Sequence, residues 1–191
     1  NLAMVKSMLV LLFGLKKFVP TDCYSDVFQI PYQKLYDQGK RVLLMDIDNT
    51  LIPYDAYEPY PKLKQLIAQI KAIGFKIIFM SNNKEPRVSH FANILGEDYV
   101  YSSMKPLKKG YRQALKKAML PKKTALAIGD QLLTDVLGSN RFGIDVILVK
   151  PLKKHNELWF TKFNRKTEKR IIKKISRHYP DIYAKIKEVI Q

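Results

Sequence analysis

Between Arg41 and Val149 the chain alternates five short apolar runs with segments of helical period, and polar or acidic residues follow the runs. No other feature restricts the fold as much. Arg41-Val42-Leu43-Leu44-Met45 is an apolar run that stops at Asp46, as a strand buried on both faces does. Phe75 to Met80, Tyr99 to Tyr101, Thr124 to Ile128 and Asp145 to Val149 read as four further strands. Pro61 to Ile73 carries Leu63, Leu66, Ile67, Ile70 and Ile73 at helical spacing and closes at Gly74. Pro86 to Leu95, Leu107 to Met119 and Leu132 to Asn140 supply the other helices. Alternation at this length predicts βαβ units with right-handed crossovers. The expected fold is α/β and Rossmann-like, a five-stranded parallel sheet flanked by helices. Ligands of such sheets sit beyond the carboxyl ends of the strands.

The polar residues at those ends form one set. The first strand runs into Asp46-Ile47-Asp48-Asn49-Thr50, the second into Ser81-Asn82-Asn83, and the third is followed by Lys105-Pro106. The fourth ends in Gly129-Asp130, with Asp135 five residues on. Four carboxylates, a hydroxyl and an ammonium should therefore meet in one crevice. Carboxylates so crowded repel one another unless a hard cation lies among them, and Mg²⁺ prefers oxygen ligands. A cation and a lysine together suit a phosphoryl group, whose charge both can neutralise. Taken singly, Asp46, Asp48 and Ser81 could each be a helix cap, Lys105 a surface lysine, and Asp130 with Asp135 a turn and a cap.

The order Asp-x-Asp-x-Thr, Ser, Lys, Gly-Asp-x-x-x-x-Asp resembles the four motifs of the haloacid dehalogenase (HAD) superfamily over about residues 41–151. More narrowly, Asp46-Ile-Asp-Asn-Thr-Leu51, Ser81-Asn-Asn83, Gly129 to Gly138 and Phe163-Asn-Arg-Lys-Thr-Glu-Lys-Arg170 resemble the YqeG-type branch of subfamily IIIA. The resemblance implies a Mg²⁺-dependent phosphatase. Asp46 would attack phosphorus, and Asp48 would act as general acid and then general base. Thr50 would steady the loop. Ser81 and the Asn82 backbone would bind phosphoryl oxygens, and Lys105 would hold the phosphoryl group and Asp46. Asp46, the Asp48 carbonyl, Asp130 and Asp135 would hold the metal. An acid two residues after the nucleophile points to a phosphatase or phosphomutase, not a dehalogenase or transport ATPase.

Only 34 residues separate Asp46 from Ser81, and 23 separate Ser81 from Lys105. No large cap domain fits there, only a flap near Ile52 to Tyr60. An open site suits a bulky phosphorylated substrate, such as a lipid head group, a phosphoprotein or a nucleic-acid end. The related eukaryotic branch acts on phosphatidylglycerophosphate. A homo-oligomer could also supply a lid.

Residues 1–40 read as a lead-in, 41–151 as the catalytic core, and 152–191 as a basic helical extension packed on or beside it. Asn1-Leu2-Ala3 reads as an addition before a natural start at Met4, and Val5 to Leu15 as a short amphipathic helix. The apolar stretch Met8 to Phe13 is too short to span a bilayer and lacks a signal-peptide cleavage pattern. The single cysteine, Cys23, excludes a disulfide within the chain and fits a cytoplasmic setting. Lys and Arg total 34 against 17 Asp and Glu, a net charge of +17. From Lys150 to Gln191 there are 13 basic and 4 acidic residues. Such an extension is either a solvated face or a contact for an anionic membrane or RNA. Trp159, Phe160 and Phe163 among its lysines would suit a membrane interface or stacking on bases. The second functional reading is thus a nucleic-acid or ribosome-associated binding protein on the same scaffold. No Walker loop is present.

Overall fold

The computed structural model describes residues 13–152 and 159–190, with side chains described over 13–152 and 167–189. Six strands form one sheet: β1 (Asp22–Tyr24), β2 (Val42–Met45), β3 (Lys76–Met80), β4 (Asp98–Val100), β5 (Ala125–Gly129) and β6 (Asp145–Val149). Their order is β1-β6-β5-β2-β3-β4, and every neighbouring pair is parallel. The sequence predicts five strands; the sixth, β1, comes from the lead-in and pairs Asp22 with Ile147, Cys23 with Leu148 and Tyr24 with Val149. Three residues beginning with an aspartate carry too little periodicity to announce a strand. Only the exposed edge of β6 makes them one.

Seven helices accompany the sheet among the described residues: α1 (Tyr32–Asp37), α2 (Pro61–Ile73), α3 (Glu85–Leu95), α4 (Lys108–Ala118), α5 (Leu137–Phe142), α6 (Trp159–His178) and α7 (Pro180–Ile190). Gly74 ends α2 in the left-handed region at φ 113°, which a residue with a Cβ seldom adopts. The helix expected over Leu132 to Asn140 is two elements. Leu132–Val136 forms a wide π turn, in which the Val136 N–H reaches the Gln131 carbonyl, and α5 follows. The helix expected over Val5 to Leu15 lies outside the described residues except for its last three. The side chains of Trp159, Phe160 and Phe163 lie outside them as well.

Successive strand residues face opposite sides of a sheet, and β2 shows the consequence. Leu43 and Met45 join Ile67, Ile70, Phe79 and Phe91 on the side covered by α1, α2 and α3. Val42 and Leu44 join Tyr111, Val136 and Leu137 on the side covered by α4 and α5. Ile171, Ile175, Ile186 and Val189 of α6 and α7 are buried in that second cluster. No described helix is long and apolar enough to cross a membrane.

The strand order positions the site. From β2 the chain moves outward to β3 and β4, then returns to the other side of β2 with β5 and continues to β6. The order therefore reverses between β2 and β5, and a crevice opens at their carboxyl ends.

Candidate active site

Asp46 stands one residue beyond β2, its backbone N–H donating to the Ile128 carbonyl of β5 at 2.9 Å. The chain then turns sharply through Asn49 at φ 64°. Asparagine tolerates that conformation better than most residues. The Asn49 side-chain oxygen accepts the Tyr54 N–H at 3.2 Å, which fixes the start of the flap. Asp130 leaves the end of β5 beside Asp46, and the π turn returns Asp135 to the same place. Gly129 makes that return feasible, because a Cβ there would lie 2.3 Å from the Asp135 Cγ. One carboxylate oxygen from each of Asp46, Asp130 and Asp135 lies within 4.8 Å of the others, and all three residues are buried.

Lys105 reaches this cluster from the loop after β4. Its Nζ donates to Asp46 Oδ1 at 2.5 Å, to Asp135 Oδ1 at 2.7 Å and to the Met80 carbonyl at 3.2 Å. Three acceptors match the three protons of an ammonium. Burial opposes the lysine's charge, but Asp135 and Asp46 outweigh it and hold Lys105 well above the ordinary lysine range. The Asn82 side chain secures the loop. Its oxygen accepts from the Ser103 hydroxyl and the Lys105 N–H, both at 2.8 Å, and its nitrogen donates to the Lys105 carbonyl at 3.1 Å.

One ammonium does not balance this set. Burial is the main cause that pushes the Asp46 carboxyl well above its usual range, and the Asp135, Asp130 and Asp48 carboxylates add to it against the pull of Lys105. The site thus carries excess buried negative charge on oxygen donors alone. That is the donor chemistry of a hard divalent cation, so Asp46, Asp130 and Asp135 are fit to hold one. Thr50, 2% exposed, lies beneath them, its hydroxyl 3.1 Å from both Asp46 Oδ2 and Asp130 Oδ1.

Asp48 occupies the other wall. Its Oδ2 accepts from the Ser81 hydroxyl at 2.8 Å, and that hydroxyl accepts the Asn83 N–H at 2.9 Å. In this geometry Ser81 is committed to Asp48, so binding a phosphoryl oxygen through the hydroxyl requires that bond to change. Asp48 Oδ1 meets the Arg87 guanidinium from α3. The open crevice, about 260 Å³, is lined by Asp46, Asp48, Asn82 and Lys105 together with Asn49, Tyr54, Asn83, Lys84, Gln131 and Thr134. All eight residues singled out in the sequence therefore gather at one place, with Thr50, Ser81, Asp130 and Asp135 behind the lining.

Arg87, Gln131, Thr134 and Tyr54 are not among the site residues expected from the sequence. The Gln131 N–H and the Thr134 hydroxyl donate to Asp135 Oδ2 at 3.1 and 3.2 Å. Both lie inside the fourth motif, so their spacing was a usable signal. Arg87 sits six residues after Ser81, and only the packing of α3 reveals its partner.

Comparison with known proteins agrees with this geometry. A haloacid dehalogenase-like hydrolase family model matches residues 10–143. The chain is 38% identical over 162 residues to a Bacillus subtilis (strain 168) protein called "Probable phosphatase YqeG", covering 85% of this chain and 94% of that one. The fold is also similar to the crystal structure of an uncharacterized protein from Listeria monocytogenes serotype 4b. That match has a TM-score of 0.50 and 19% identity, over 62% of this chain and 84% of the other. A family match across more than half of the chain, joined to buried acids at the strand ends, leads to one conclusion: the chain belongs to the haloacid dehalogenase-like hydrolase family.

Proposed function

We propose that this hydrolase is a Mg²⁺-dependent phosphatase that cleaves a phosphate monoester through an aspartyl-phosphate on Asp46. The observation that carries the reading is the placement of Asp46 on the crevice wall, with Lys105 Nζ at 2.5 Å and Asp130 and Asp135 alongside. Asp46, Asp130 and Asp135 would hold the cation, with the Asp48 carbonyl. A bound Mg²⁺ would neutralise the carboxylates and the charge on the phosphoryl oxygens.

In the first half-reaction an Asp46 carboxylate oxygen forms a bond to phosphorus while the bond from phosphorus to the leaving oxygen breaks. Asp48 passes its proton to that oxygen. In the second half-reaction water attacks phosphorus and gives its proton to Asp48. The bond to Asp46 breaks, which regenerates the carboxylate and frees inorganic phosphate. Lys105 neutralises charge on Asp46 and on the phosphoryl group throughout, held by the Asn82 side chain and the Met80 carbonyl.

The preferred substrate in this reading is bulky, because the flap at 52–60 leaves the crevice open and no cap domain closes it among the described residues. A phosphorylated lipid head group such as phosphatidylglycerophosphate fits that opening. Phosphate release from an aryl phosphate and from that lipid in mixed micelles tests the proposal, with and without Mg²⁺, in wild type and Asp46→Asn. Turnover should require both Mg²⁺ and Asp46. Turnover that survives Asp46→Asn would refute the mechanism.

A further inference from the structure

The group that steers the proton-transfer residue is itself visible. We infer that Arg87 is the positioning residue of Asp48: it anchors one carboxylate oxygen so that the other is the oxygen that exchanges a proton with the leaving group. This rests on the phosphatase reading above.

Three observations carry it. First, an arginine usually meets a carboxylate as a fork, one nitrogen to each oxygen. Here both nitrogens converge on Oδ1, with Nε at 2.8 Å and Nη2 at 2.7 Å, and Oδ2 is left to the Ser81 hydroxyl. The two oxygens of Asp48 thus have different environments. Oδ1 is fixed by a cation, and Oδ2 by a hydroxyl that can rotate.

Second, the arrangement leaves an arginine donor poorly served. Nη2 is buried and, although 2.7 Å from Oδ1, makes no well-aligned hydrogen bond. A role in stability alone does not explain why the guanidinium keeps this pose over a fork across both oxygens.

Third, Arg87 is itself clamped. The Tyr57 and Tyr54 rings of the flap lie against the guanidinium, at 4.9 and 5.3 Å from ring centroid to Cζ. Tyr54 also lines the crevice, whereas Arg87 stands behind Asp48 and does not. The side chains of Arg87 and Asp48 are only 11% and 16% exposed, so solvent does not blur the pair. Glu58 and His90 add a second contact between flap and α3, at 3.5 Å. Flap, arginine and acid form one mechanical series, and Arg87 acts on the reaction only through Asp48.

A positioning role has a chemical signature that a folding role lacks. An alkoxide needs its proton as it leaves, whereas p-nitrophenolate departs without one. Asp48 also serves the hydrolysis step, which both substrates share, so the contrast lies in kcat/KM, which reports the steps up to departure of the leaving group. Loss of Arg87 should lower kcat/KM for alkyl phosphates and spare it for p-nitrophenyl phosphate. In Arg87→Gln, kcat/KM for an alkyl phosphate should fall about 10²-fold, within the range general acid catalysis supplies, and for p-nitrophenyl phosphate less than about threefold. Arg87→Lys should recover part of the alkyl phosphate activity. In an Asp48→Asn background, Arg87→Gln should add no further loss, since the two residues act as one unit.

Equal losses on the two substrates, or a full additional loss in the Asp48→Asn background, would overturn the inference. Thermal unfolding of each variant guards against misfolding, and Arg87→Lys keeps the test open if Arg87→Gln does not fold. Failure of the wider reading is distinguishable: there Asp46→Asn retains turnover, whereas here Asp46→Asn is inactive and only the leaving-group pattern is missing.

Discussion

The strand-end crevice and the C-terminal helices are both densely charged, and the chain treats them in opposite ways. In the crevice Asp46, Asp130, Asp135 and Lys105 are all 8% exposed or less and bond to one another or to the loops that carry them. On α6 the charges of Lys169, Arg170, Lys173, Lys174 and Arg177 are exposed, and the buried residues are Thr167, Glu168, Ile171 and Ile175. Counting charge ranks the extension first, since 13 of the 34 basic residues fall after Val149. Burial ranks the crevice first. Charge in water is inexpensive and adaptable, whereas charge removed from water must be balanced in place, so buried charge is the better marker of chemistry.

The two regions are also joined. Glu168 of α6, 3% exposed, accepts the Leu133 N–H of the π turn at 3.2 Å. That turn carries Asp135. Lys185 of α7 reaches Asp22 of β1 at 2.7 Å, which ties the extension to the lead-in strand. The extension thus supports the acidic site from behind with its buried face, Glu168 included, while its lysines and arginines on α6 face solvent.

The largest expected effect is at the crevice. If Asp46 is the nucleophile, as proposed above, Asp46→Asn should lower phosphate release by about 10⁴-fold or more. The same variant should not destabilise the metal-free protein at neutral pH. The folded-state pKa of Asp46 lies above its unfolded value, so stability present below the unfolded pKa is lost as pH rises through the folded one. Asp46→Asn should remove that fall, which urea unfolding at several pH values without divalent ions would show. A variant that was inactive and also strongly destabilised across that range would break the contrast between the regions.

Next in size is Lys105→Met. It leaves the Asp46 and Asp135 carboxylates without their shared cation and should cost about 3–5 kcal/mol, the scale for breaking a buried ion pair. Urea unfolding in chelator measures it, and Mg²⁺ should return part of the loss. In the extension, Ile175→Ala empties a fully buried position and should cost about 2–5 kcal/mol. Equal unfolding midpoints for that variant and wild type would mean that α6 does not share the core. Mg²⁺ at a hundred times its dissociation constant should stabilise wild type by about 2.7 kcal/mol. Asp130→Asn should lose most of that gain in thermal unfolding. Smallest of all, joint replacement of Lys169, Lys173 and Lys174 by Gln should change stability by no more than about 0.5 kcal/mol per site. It should leave turnover of a soluble aryl phosphate unchanged. Loss of that turnover would move the extension from support to chemistry.

Much of this site was legible because each residue follows a strand that is itself easy to read. Asp46, Ser81 and Asp130 adjoin uninterrupted apolar runs, and a parallel sheet must place such ends together. Lys105 was harder, being five residues past a three-residue strand in a lysine-rich chain, and its position before Pro106 was the only cue. Arg87 was illegible. Its partner is 39 residues away, and an exposed arginine and a buried one look alike in sequence. β1 escaped for a related reason, because a short edge strand is defined by its neighbour.

Local order alone therefore determined the parallel α/β sheet, the acidic strand ends and the missing cap, since apolar runs, helical spacing and segment length are properties of neighbouring residues. Packing decided the rest: the sixth strand at the β6 edge, the π turn that swings Asp135 back over Gly129, and the burial of Glu168 behind that turn. It also decided the pairing of Asp48 with Arg87. Each of these depends on which surfaces meet in space and how much water they exclude, and no segment carries that information until the sheet has formed.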